Sequence, residues 1–169
     1  MKHIVFLLFF TLFSAASVLN AANKTFSNDH FKVSFFMPDD NWKIADRYSL
    51  APTTGWLVEY VNSTNFAFIA FAGAKNRLDN RSAMGTVVSM LKSESSSAWV
   101  VRPRSIWVGK YKSTAAEVRF ITQKLPYSGV ILVFRVKDRQ FRFFFGAPDQ
   151  AFADAFSDFL RVLSSVRVR

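Results

Sequence analysis

The chain contains no cysteine, and that absence removes several functions at once. Without thiols there is no disulfide framework, no thiol nucleophile and no cysteine-ligated metal. A lipoprotein anchor, carried on a cysteine at the new amino terminus, is closed as well. Histidine is almost missing: beyond His3 near the start, His30 stands alone. One histidine makes neither a catalytic triad nor a histidine-rich metal site, and a surface position accounts for it. Acidic residues are in deficit, 12 against 22 lysines and arginines, for a formal charge of +10. Walker loops, dinucleotide glycine patterns, metalloprotease helices, G-x-S-x-G elbows and S-x-x-K sets are all absent. No catalytic, cofactor or metal residue is therefore assigned, and no cofactor is expected.

Long apolar runs are lacking too. Ile4 to Phe13 is a block of ten, too short to cross ~30 Å of hydrocarbon. With Lys2 and His3 before it and small residues from Ser14 to Ala22 after it, residues 1–21 read as a secretory signal peptide. Cleavage after Ala21 or Ala22 leaves residues 22–169 as one domain, 21 basic residues against 12 acidic, or about +9. Half of the chain is hydrophobic, enough for a substantial core without disulfides. The expected destination is the periplasm or the extracellular space, with no transmembrane segment in the mature chain.

What the sequence does have is strands. Val130 to Val136 is β-branched and aromatic, Lys137-Asp138-Arg139 is a polar turn, and Gln140 to Phe145 returns. Gly146-Ala147-Pro148 is expected to stop that strand. Asp149 then opens a helix whose apolar face is Phe152, Phe156, Phe159, Leu160 and Leu163. Early Asp149, Asp154 and Asp158 and late Arg161, Arg167 and Arg169 complement the helix macrodipole.

Upstream, Phe31 to Phe36 alternates as a half-buried strand, and Pro38-Asp39-Asp40-Asn41 turns the chain. Trp42 and Ile44 are expected to tuck under the sheet. Gly55–Val61 and Phe66–Phe71 read as a hairpin, the second strand apolar on both sides and so buried between helices. Ala72 to Asp79 reads as loop. Asn80 or Ser82 caps a helix carrying Met84, Val87, Val88 and Leu91 at helical spacing. Ser105–Tyr111 and Ser113–Thr122 are further strands, and Pro126 closes that region. Strands interrupted by two lone helices give an α+β fold, a central antiparallel sheet flanked by helices.

The opening Phe31-Lys32-Val33-Ser34-Phe35-Phe36-Met37-Pro38, followed by Asn41-Trp42, resembles the "strand, Pro, Gly-Trp" start of the PsbP/Mog1-like superfamily. The order of elements from Phe31 to Val168 is similar as well. Asp39-Asp40-Asn41 stands where a glycine usually precedes the tryptophan. The resemblance implies an antiparallel sheet between helices and a mostly non-catalytic accessory, regulatory or envelope role. It transfers no functional residue, because that superfamily shares a scaffold rather than a site.

Two basic stretches are candidate surfaces for an anionic partner. Arg102, Arg104, Trp107, Lys110 and Lys112 combine guanidinium forks with an aromatic ring. The same spacing also describes an ordinary strand with Ile106 and Val108 on one face and Trp107 on the other. Arg135, Lys137, Arg139 and Arg142 flank the hairpin turn, where charge also discourages edge association. Asp39-Asp40 reads as turn chemistry rather than a hard-cation site. Glu59 and Glu117 are expected to pair with basic neighbours across the sheet. The sequons at Asn23, Asn62 and Asn80 are expected to be chance in a chain whose signal reads bacterial.

Together these features describe an exported, non-catalytic binding or accessory protein that recognises an acidic protein or anionic envelope component; export argues against nucleic acid. The alternative is a carrier of a small apolar ligand, which requires a cavity lined by Phe66, Phe68, Phe143 and Phe145. An enzyme requires Glu59, Glu117 or Asp46 to converge with a base.

Overall fold

Hydrophobic alternation puts most of this chain into strands. The computed structural model describes residues 25–45, 50–51, 55–75, 78–95 and 97–169; residues 1–21, read as a signal peptide, lie outside them. In chain order β1 (Thr25–Asn28), β2 (Val33–Phe36), β3 (Trp42–Ile44), β4 (Val58–Asn62) and β5 (Phe68–Lys75) precede helix α1 (Asn80–Glu94). β6 (Trp99–Val100), β7 (Arg104–Val108), β8 (Tyr111–Thr122), β9 (Leu125–Val136) and β10 (Arg139–Pro148) follow. A 3-10 turn at Asp149–Ala151 leads into α2 (Phe152–Ser165), and then β11 (Arg167–Val168). One sheet runs β3-β4-β5-β10-β9-β8-β6 with β7 also on β8, and a second runs β1-β2-β11. All pairings are antiparallel, so the fold is α+β.

The β9–β10 hairpin lies at the centre of the larger sheet, paired from Val136–Arg139 to Tyr127–Pro148. Its turn is shorter than the sequence suggests: Lys137, at φ 58°, and Asp138 suffice, and Arg139 is already in the ladder. Gly146-Ala147-Pro148 does not end β10 either. Gly146 faces Gly129 across the ladder, and a Cβ on Gly146 would overlap the Phe68 ring. Glycine is there for close packing rather than to break the strand. Pro126 likewise sits inside β9, opposite Ile121.

Period-two alternation divides β10 between two cores. Phe141, Phe143 and Phe145 join Phe71, Leu132 and Phe134 on one face, covered by α2 and by Phe31, Val33 and Phe35. Phe144 joins Phe68, Ile131 and Val133 on the other, covered by Ala83, Met84, Val87 and Leu91 of α1. β5 is buried on both faces as expected, but its cover is not two helices: Phe71 packs against Phe26 and Phe35 of the smaller sheet, and α1 packs mainly over β8 and β9. The α2 face is rotated from the expected one, because Ala155, Phe159, Val162 and Leu163 are its buried apolar residues. Phe152, Phe156 and Leu160 lie half-buried on its flank. Ala155 is among the buried residues, its small size letting the helix approach the sheet.

Other differences have local causes. Ile44 is 57 % exposed while Trp42 is fully buried; the two share a face of β3, but Ile44 stands at the far end of this three-residue edge strand. β5 begins at Phe68 and extends through Lys75, because Asn62, turned back on the amides of Thr64 and Asn65, prolongs the preceding turn. The α1 cap is Asp79, whose carboxylate accepts the amides of Arg81 and Ser82, rather than Asn80 or Ser82. Gly109 and Lys110 form the turn that separates β7 from β8, so Tyr111 opens the second strand. β1 and β6, which have too few residues to show a period, were not expected.

Candidate functional site

The stretch Arg102 to Lys112 lies along one edge of the large sheet. β7 pairs with the start of β8 and β6 with its later part, and exposed Pro103 separates them. Arg102, Arg104, Lys110 and Lys112 are exposed, and Trp107 is 69 % exposed. They do not share one face. Trp107 pairs with Lys112 on the α1 side, whereas Arg104 pairs with Ala115 on the α2 side. Lys110 Nζ lies 5.6 Å from the ring of Tyr111, which stacks on Phe134. Trp99, 61 % exposed and paired with exposed Arg119, adds a second indole on the α2 side. Sequence reading passed over it, because its two-residue strand carries no pattern.

The hairpin cluster disperses in the same way. Arg139 is a fastener: its Nη1 donates to Phe31 O and its Nη2 to Arg169 O, both at 2.6 Å. It ties the loop before β2 and the residue after β11 to the large sheet. Arg135 is exposed, with Nε donating to Lys137 O at 2.6 Å. Lys137 is exposed in the turn. Arg142 is half-buried on the α1 side, its guanidinium 5.8 Å from the Trp56 ring centroid.

Across strands, however, the two sequence clusters meet. Ser113 pairs with Phe134, so the next residues outward, Lys112 and Arg135, stand side by side at the same end of the ladder. Trp107 flanks Lys112 and Gln140 flanks Arg135. The resulting row, Trp107-Lys112-Arg135, faces the side on which α1 begins, where Asn80 Nδ2 donates to Lys112 O at 2.8 Å. Exposed Arg81 in the first turn of α1 carries the same sign. Asp79 opposes it, its carboxyl held below the usual range by hydrogen bonds from Ser82 and Arg81. The corner combines an exposed indole with basic side chains, a chemistry suited to anionic, partly apolar surfaces.

Glu59 and Glu117, the catalytic candidates among the described residues, do not come together. Glu59 pairs with Ala70 on the α1 side, and its Oε1 accepts the amides of Leu50 and Ala51 at 2.7 and 3.2 Å. It thus holds the backbone before β4. Glu117 pairs with Val130 on the α2 side, four strand spacings away, roughly 19 Å. Burial raises the Glu117 carboxyl, and Arg104 and Arg119 partly offset this. Asp46 lies outside the described residues. His30 packs edge-on against Phe31, and Asp39 Oδ1 accepts the Asn41 amide in the expected turn. Among the described residues no three His, Cys, Asp or Glu side chains gather as a metal site.

The phenylalanines named for an apolar-ligand cavity do not line one space. Phe66 is 58 % exposed, Phe68 belongs to the α1-side core, and Phe143 and Phe145 to the α2-side core. Asn62 is buried and its Oδ1 is engaged, which makes its sequon structural; Asn23 lies outside the described residues. Among the described residues no helix is long and apolar enough to cross a membrane.

No protein-family profile matches the sequence, and no curated protein matches it. Solved structures do. The cyanobacterial PsbP protein (CyanoP) of Synechocystis matches at TM-score 0.66 and 15 % identity, covering 94 % of this chain and 99 % of that one. The Ran-binding protein Mog1p of Saccharomyces cerevisiae matches at TM-score 0.57 and 11 % identity, over 86 % and 95 % of the two chains. LpqN, involved in cell envelope biogenesis in Mycobacterium tuberculosis, matches at TM-score 0.53 and 9 % identity, over 86 % and 91 %. The chain therefore has the PsbP/Mog1-like fold that Pro38 and Trp42 pointed to. At these identities the likeness is one of architecture.

Proposed function

We propose that this protein is an exported, non-catalytic accessory protein that docks onto an acidic protein or anionic component of the cell envelope. The observation that carries the reading is the Trp107-Lys112-Arg135 row, where two basic stretches distant in sequence come together around an exposed indole. The mature chain's formal charge of about +9 would steer such a surface towards anionic partners. Relatives in fold support the role by analogy: Mog1p is a Ran-binding protein and LpqN is involved in cell envelope biogenesis. Export rests on the signal-like residues 1–21. The direct test is capture on native envelope fractions followed by elution with a salt gradient. Release as salt rises past physiological strength supports the reading, since exposed charges are screened beyond ~8 Å at 0.15 M. Retention independent of salt overturns it.

A further inference from the structure

α1 packs over β8 and β9, which leaves a cleft beside it on the same face. The cleft has a volume of about 80 Å³ and is lined by Ala74, Leu78, Ala83, Thr86, Gln140 and Arg142. That is more than the ~10–15 Å³ needed for one water and far less than the ~300–1,000 Å³ of a drug-sized pocket. It suits a single small group.

Among the described residues that line the cleft, Arg142 alone is ionisable. Val133 and Ala72 flank Arg142 across the sheet, so neither neighbouring strand offers a carboxylate. Among the described residues its guanidinium makes no hydrogen bond or ion pair, and it lies 5.8 Å from the Trp56 ring centroid. Its nitrogens are not sealed off, since Asn80 Oδ1 is the one fully buried side-chain polar atom without a partner among the described residues. Burial lowers the Arg142 pKa, yet an arginine remains charged at neutral pH. A half-buried cation without an acid is an exception to the usual pairing of buried charge.

The other polar groups of the cleft are occupied. Gln140 Nε2 faces Leu78 O at 3.4 Å and Thr86 Oγ1 donates to Ser82 O at 3.3 Å. The free donors are those of the guanidinium fork, oriented by the indole beneath it. We infer that the Arg142–Trp56 cleft is a receptor for one carboxylate, an aspartate or glutamate side chain of the acidic partner proposed above, on which reading this inference rests. One fork matches one monoanion bidentately, and Ala74, Leu78 and Ala83 suit the methylenes of an acidic side chain. A phosphate dianion would call for a second cation, which the described lining residues do not include.

The test is an NMR titration of the full chain with N-acetyl-glutamate amide, read at the Arg142 Nε–H and Trp56 Nε1–H signals. Saturable shifts are expected, with N-acetyl-glutamine amide silent and binding at least tenfold weaker in Arg142→Gln. Arg142→Lys keeps the charge and loses the fork, so it too should bind weakly while its amide spectrum reports an intact fold. Three results overturn the inference: equal shifts with the glutamine probe, shifts that persist in Arg142→Gln, or inorganic phosphate binding more tightly than the glutamate probe. If the wild-type chain is held by envelope fractions in a salt-sensitive way and Arg142→Gln is held equally, the cleft assignment alone fails. Salt-insensitive capture of the wild type removes the acidic partner instead, and does so independently of the titration.

Discussion

Trp42 Nε1 donates to Asp158 Oδ2 at 3.1 Å, joining the start of β3 to the middle of α2. The indole is fully buried, and Asp158 also pairs with Arg161 at 3.6 Å. The Pro38…Trp42 opening thus serves as the peg that seats α2. Removing the acceptor leaves a buried N–H unpaired, so Asp158→Ala should cost about 1–3 kcal/mol. Trp42→Ala, which also opens a cavity, should cost about 3–5 kcal/mol. Urea denaturation midpoints of the two variants check both values; a neutral Asp158→Ala would mean the bond contributes nothing.

The rotated face of α2 predicts an order between two phenylalanines. Phe159 is buried and stacks on Phe145 at 5.0 Å, whereas Phe156 is half-buried and stacks on Phe152. Phe159→Ala should lose about 3–5 kcal/mol, and Phe156→Ala measurably less, because part of its ring stays exposed. Equal losses by chemical denaturation would contradict the observed rotation.

Arg139 should behave as a structural residue. Its two hydrogen bonds to Phe31 O and Arg169 O hold the three-stranded sheet. Arg139→Ala is expected to cost about 1–3 kcal/mol and to speed hydrogen exchange in β1, β2 and β11. Envelope capture should change little. Lost binding with unchanged stability would place Arg139 in the recognition surface instead.

Glu117 gives a pH dependence whose sign can be worked out. Burial raises its folded pKa above the unfolded value, with Arg104 and Arg119 partly opposing this. Between those two values the folded chain binds more protons than the unfolded one, so this group's contribution falls as pH rises through and just above the ordinary glutamate range. Above that window the penalty is constant. Glu117→Gln should therefore be more stable than the wild type at neutral pH and should flatten the pH profile in that interval. A variant less stable at neutral pH would show that Arg104 and Arg119 outweigh desolvation.

Much of this architecture was legible because it rests on alternation. Phe141, Phe143 and Phe145 announce a strand with one aromatic face, and Val130 to Val136 announces its partner. Elements with no room for a period, such as Trp99–Val100, were not visible, and so an exposed tryptophan was missed. Position along the chain also misled at the basic stretches. Arg104 and Trp107, three residues apart, fall on opposite faces of a strand, whereas Lys112 and Arg135 meet because the β8–β9 hairpin brings them together. The role of Arg139 was hidden for a related reason. Its acceptors, Phe31 O and Arg169 O, lie 108 and 30 residues away, and backbone carbonyls leave no mark in a sequence.

The central claim is recognition through the Trp107-Lys112-Arg135 corner. Its most direct test compares the wild-type chain with the Lys112→Glu/Arg135→Glu double variant in salt-gradient elution from native envelope fractions, with circular dichroism confirming the fold. Both side chains are exposed, so charge reversal should leave stability nearly unchanged. The account predicts that the double variant elutes at markedly lower salt or fails to bind. Elution of both proteins at the same salt concentration would contradict it.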